Sequence, residues 1–138
     1  MRNLLTTILF LSVLVTHSAS ACNLQCRNAE LFNENEAADK KLNIEYRKLT
    51  AKLNRATLND LRTIQRQWIE TRDRICEEKE EHWCAESGCT NILQTLSAGN
   101  EALKCSLLLT NIRIQELITA LNAVKAGEPP SLTFQIPQ

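Results

Sequence analysis

The sequence predicts an all-α protein: a small disulfide-bonded bundle of three to four helices, two or three of them long. Three observations carry that expectation. Structure breakers are scarce, with three glycines and three prolines in 138 residues, two of the prolines adjacent at 129–130. The aliphatic residues recur at intervals of three and four, and few alternating runs compete with them. Six cysteines follow a segment with the layout of an export signal, which reads as a cross-linked fold.

The signal comes first. Arg2 supplies a positive start, and "LLTTILFLSVLV" (4–15) is an apolar run too short for a membrane span. Ala19-Ser20-Ala21 then fits the small-residue cleavage pattern, so residues 1–21 read as a secretory signal peptide. Cys22 directly after it raises a second possibility, an outer-membrane lipoprotein acylated at that cysteine. Ala19 is a weaker fit to lipoprotein processing than an aliphatic residue, so periplasmic or secreted export is preferred over a lipid anchor. The mature chain from Cys22 onward keeps 15 basic against 16 acidic side chains. That balance offers no basic excess for nucleic acid and no polybasic anchor for a membrane.

A helical domain is expected over 22–128. "ENEAADKKLNIEYRKLTAKLN" (34–54) is rich in helix formers, acidic early and basic late, with a ridge of Leu42, Tyr46, Leu49 and Leu53. Within "NRATLND" (54–60), Asn54 and Thr57 compete as the cap of the next helix. That helix carries Leu58, Leu61, Ile64, Trp68, Arg72 and Ile75 on one face and is expected to end near residue 79. "EHWCAESGCTN" (81–91) reads as a break, followed by a short helix within 90–97. Asn100 is the expected cap of a last long helix. Its ridge is Leu103, Leu107, Ile114, Leu117, Leu121 and Val124, widened by Leu108, Ile112 and Ile118. Gly127 and Pro129-Pro130 stop it. Residues 129–138 read as a disordered tail or as an extended strap on the bundle, with no identifiable partner.

Candidate chemistry is thin. Cys76, His82, Cys84 and Cys89 have the right donor types for zinc, but their spacings match no common zinc module. No metal and no cofactor is expected. His82 is the sole histidine of the mature chain, and no nucleophile motif accompanies it. Acidic side chains such as Glu70, Asp73 and Glu77 sit on a helix of mixed charge, which reads as a solvated face rather than a hydrolase pair. The chain therefore does not read as an enzyme. Within the second helix, Trp68 is expected in the core with the Arg72 guanidinium on its indole face. Glu70 and Arg74 form a favourable i, i+4 pair, and Asp73 is expected to pair across the bundle.

"AADKKLNIEYRKLTAKL" (37–53) and "QRQWIETRDRIC" (65–76) resemble the LprI-like lysozyme-inhibitor family of exported bacterial proteins. The resemblance rests on Ala38, Asp39, Leu42, Asn43, Tyr46 and Leu49. It continues on Gln65, Arg66, Trp68, Arg72, Asp73 and Cys76, and later on Cys105, Thr110, Arg113, Glu116 and Leu117. It covers roughly 37–117. The "EHWCAESGCTN" segment departs from the family pattern by adding Cys84 and Cys89. The preferred disulfide joins Cys76 to Cys105, closing a ~30-residue loop worth roughly 3–4 kcal/mol. Cys22, Cys26, Cys84 and Cys89 then allow three pairings.

The resemblance implies a protein partner: lysozyme or another cell-wall hydrolase, blocked by stoichiometric occlusion. "EEKEEHWCAE" (77–86) is the expected contact surface, through Glu77, Glu78, Glu80, Glu81, His82, Trp83 and Glu86. Its acidity suits a basic enzyme, while a solvated helix end accounts for the same residues without a partner. A periplasmic immunity protein against a toxin effector and a structural envelope module without inhibitory activity are the alternatives.

Overall fold

The computed structural model describes the backbone from Arg2 to Pro137 and the side chains from Asn23 to Pro137. The signal peptide expected over 1–21 and the side chain of Cys22 lie outside the described side chains. Three helices follow one another: α1 (Arg2–Thr50), α2 (Arg55–Ser87) and α3 (Ile92–Lys125). There is no strand among the described residues.

Cross-links and polar contacts give the topology. Gln65 meets Arg113, Arg72 meets Thr110 and Cys76 meets Cys105, so α2 runs antiparallel to α3. Asn28 meets Asn100 and Asn35 meets the Leu103 carbonyl, so α1 runs parallel to α3. The central element is α3, which packs against both of the others.

The α1–α2 turn is short because α1 closes on itself. Lys52 N–H donates to the Leu49 carbonyl at 2.9 Å. Between the two cap candidates, Asn54 holds the position. Its Oδ1 accepts from Thr57 N at 3.0 Å and from Thr57 Oγ1 at 3.1 Å, so the rival residue becomes the donor.

Two expected boundaries are corrected. α2 does not stop near residue 79 but continues through the supposed break to Ser87. None of His82, Trp83, Cys84, Ala85 and Glu86 is a helix breaker. The first residue able to stop it is Gly88, with φ +85° and its N–H on the Cys84 carbonyl at 2.8 Å. The separate short helix at 90–97 is likewise replaced by the start of α3. Asn91 caps α3 by accepting from Gln94 N at 3.1 Å, and Gln94 in turn accepts from Thr90 N and donates to the Ser87 carbonyl. Asn100 is no cap. It lies buried within α3 and accepts from Asn28 Nδ2 at 3.1 Å.

The core gathers where all three helices meet. Leu42 and Leu49 of α1, Leu61 and Trp68 of α2, and Ile114, Leu117, Ala120 and Leu121 of α3 form it. Burial of each large side chain is worth about 1.5–3 kcal/mol. After α3 the chain turns at Gly127 (φ +81°), with Glu128 N–H on the Ala123 carbonyl at 2.9 Å. It then runs extended back along the bundle. Ser131, Thr133 and Gln135 face outward, while Leu132, Phe134 and Ile136 are half-buried, and Leu132 and Phe134 rest on the core.

Candidate partner-binding surface

Two arginines fix the frame on which the surface is built. Arg72 joins all three helices. Its guanidinium stacks 5.0 Å from the Trp68 ring centroid, and Nη1 reaches Asp39 of α1 at 3.1 Å and Thr110 of α3 at 3.2 Å. Asp73 does not pair across the bundle as expected; it meets the adjacent Arg72 at 2.8 Å, and the acid from another helix is Asp39. Arg74 pairs forward with Glu78 at 2.8 Å and not back with Glu70. One turn of helix separates either acid from Arg74, and Glu78 takes the guanidinium.

Arg113 is 1 % exposed and still hydrogen-bonded through all three guanidinium nitrogens. Nε donates to Gln65 Oε1 at 3.0 Å, and Nη1 donates to Glu116 Oε2 at 2.8 Å. It also donates to the tail carbonyls of Leu132 and Thr133 at 3.4–3.5 Å, and its guanidinium carbon lies 6.0 Å from the Phe134 ring. Glu116 Oε1 accepts from Gln135 N at 2.8 Å. Among the described residues no buried polar side-chain atom lacks a partner. Of the remaining motif residues, Leu42 is core and Tyr46 packs at its edge, whereas Asn43 and Arg66 point outward.

Two disulfides are formed. Cys76–Cys105 ties the middle of α2 to α3, and Cys84–Cys89 ties the last turns of α2 to the connection beyond it. Cys84–Cys89 is one of the bonds left open by the sequence. Cys26 is exposed, and the bonding of Cys22 lies outside the described side chains. The three cysteines of the zinc-like set are thus disulfide sulfurs rather than thiolates. Among the described residues no cluster of three or more His, Cys, Asp or Glu is arranged to hold a metal ion.

The extension of α2 to Ser87 decides how the acidic stretch is displayed. Helical spacing puts Glu77, Glu80 and Glu81 on one flank, around Cys84. Glu77 and Glu80 also border a cleft with Asn28 and Gly99. His82, Trp83 and Glu86 fall on the other flank, which faces α3 and the end of the tail. Glu78 lies on the outer face in its ion pair with Arg74. Six of the seven residues expected to act together therefore divide between two surfaces, and Glu78 lies on neither.

On the second flank Trp83 is half-buried in a groove of about 450 Å³. Ile75, Leu108, Leu109, Ile136 and Pro137 form its apolar walls. The rim is polar: Glu101–Lys104 at 2.6 Å and His82–Glu86 at 3.3 Å. Leu108 is 56 % exposed there. The tail's share of this groove was missed in the sequence, although the alternation in "SLTFQIP" signals an extended segment with one buried face.

A family model described as "Lysozyme inhibitor LprI" matches residues 18–117. The chain belongs to the LprI lysozyme-inhibitor family. The match takes in both disulfides, the Arg72 network, Arg113 with Gln65 and Glu116, and Trp83, and it ends before the tail. No curated protein and no solved structure matches the chain. The family implies a protein partner, and its members are inhibitors rather than enzymes. Together with the two disulfides, it points to an extracellular or periplasmic protein. No helix among the described residues is long and apolar enough to cross a membrane.

Proposed function

We propose that this protein is exported through its first 21 residues and inhibits a lysozyme or related cell-wall hydrolase by stoichiometric occlusion. The observation that carries the reading is membership of the LprI family over 18–117. The charge layout of α2 supports it. Arg55, Arg62 and Arg66 lie toward the positive end of the helix dipole, and Glu77, Glu78, Glu80, Glu81 and Glu86 toward the negative end. Only Arg55 and Glu86 fall in the terminal turns, and both oppose the dipole there, so the dipole does not account for the layout. A negative end steers association with a basic enzyme. Glu77, Glu80 and Glu81 are then the steering flank, and His82, Trp83 and Glu86 the packing flank.

The test is a lysis assay with a c-type lysozyme. Micromolar protein is expected to inhibit at a one-to-one ratio, less strongly as salt rises. Glu77→Lys with Glu81→Lys should weaken inhibition at least tenfold, chiefly through slower association. An unchanged lysis rate at micromolar protein would remove the lysozyme assignment.

A further inference from the structure

Beyond Cys76 the second helix changes character. From Glu77 to Ser87 no residue is buried, and only Glu80, Trp83 and Cys84 are half-buried. The last turn carries no basic residue to offset the helix dipole. About three turns of helix with so little packing are marginal by themselves. They are fastened at two points, by Cys76–Cys105 at the start and by Cys84–Cys89 at the end. Hydrogen bonds from Gly88 N and Gln94 Nε2 supplement the second point.

The two bonds differ in what protects them. Cys76 is 5 % exposed and lies one turn from Arg72, which is tied to both other helices. Cys84 and Cys89 are half-buried beside Gly88 and Thr90, which are both exposed. Among the described residues Cys89 is the one non-glycine residue of positive φ, at +23°, a conformation that costs an L side chain energy. Its bond spans five positions against 29 for the other, so closing it gains less from the unfolded chain. Accessible, strained disulfides that add little to stability are the ones thiols open first.

We propose that Cys84–Cys89 is a thiol–disulfide exchange site, opened by an external dithiol while Cys76–Cys105 stays closed. Opening loosens residues 77–87 and with them the surface that carries Glu77, Glu80, Glu81 and Trp83. The proposal rests on the inhibitor reading only for what that surface does. One sulfur of the dithiol, as thiolate, attacks Cys89 Sγ along the S–S axis, from the side away from the three glutamates around Cys84. The protein's S–S bond breaks, and Cys84 leaves as thiolate and takes a proton from solvent. The second dithiol sulfur then displaces Cys89 from the mixed disulfide. The products are two cysteine thiols and the cyclic disulfide of the reductant, with two electrons passed to the protein.

Two measurements on the full mature, disulfide-bonded chain test it. In the first, dithiothreitol is titrated, free thiols are trapped with iodoacetamide, and the labelled positions are mapped by mass spectrometry. Cys84 and Cys89 are expected to label at a dithiothreitol concentration at least tenfold below that needed for Cys76 and Cys105. A red shift of tryptophan emission should accompany the first step and vanish in Trp83→Phe. Joint labelling of all four positions, or labelling of 84 and 89 without the shift, overturns the proposal. The second needs no reductant: the lysis assay compares the parent with Cys84→Ser plus Cys89→Ser, and circular dichroism confirms that the bundle persists. At least tenfold weaker inhibition is expected. Full inhibition by the double variant overturns the proposal while leaving the inhibitor reading intact. Selective opening with the emission shift, but no inhibition by the parent, supports the exchange site and sinks the lysozyme reading alone.

Discussion

The two tryptophans of α2 occupy the same side of one helix and live in different surroundings. Trp68 is 1 % exposed, closed over by α1, α3 and the Arg72 guanidinium. Trp83, about four turns on, meets α3 and the tail tip and stays half-exposed. The helix is thus continuous, while the burial of its face is not. A side chain's position on the helix face sets which way it points, and the neighbouring elements decide whether it is core or surface.

Substitution should separate the two most sharply. Trp68→Ala is expected to cost about 3–5 kcal/mol, enough to unfold much of the population in a denaturant titration. Trp83→Ala should cost less than about 1 kcal/mol and instead reduce inhibition. Similar losses of stability at the two sites would mean that the far end of α2 is as tightly packed as the core.

The disulfides give the next largest contrast. Cys76→Ser with Cys105→Ser should lower stability by roughly 3–4 kcal/mol, because the closed loop is long. Cys84→Ser with Cys89→Ser should lower it by about 2 kcal/mol, since only five positions separate the pair. Calorimetry of both double variants checks the order.

The smallest expected effect lies at the caps. Asn54→Ala should cost about 1 kcal/mol, because Thr57 N–H loses its capping partner. Asn91→Ala should cost less, since Gln94 independently bridges Thr90 and Ser87. Thermal melts of the two variants would rank them.

Much of the bundle could be read from the sequence because its signals are local. The ridges through Leu42, Leu49, Leu61 and Trp68 are helical spacing, and the Cys76–Cys105 bond came with the family resemblance. The far end was misread for an equally local reason. "EHWCAES" looks like a loop by polarity, but polarity does not end a helix; Gly88 does. Asn100 has a cap's side chain and spends it on Asn28, a residue 72 positions away that no local pattern reveals. The candidate surface inherited that error, because a helix extended to Ser87 distributes Glu77, Glu81, Trp83 and Glu86 over two flanks.

The α2–α3 connection carries one more consequence. Only residues 88–91 join the two helices; the Cys84–Cys89 bond closes one side and the Gln94 side chain straps the other. A protease must draw several residues of chain into an extended strand before it can cut. This corner has no such slack to give. The bend between α2 and α3 thus offers a protease little extended chain to grip.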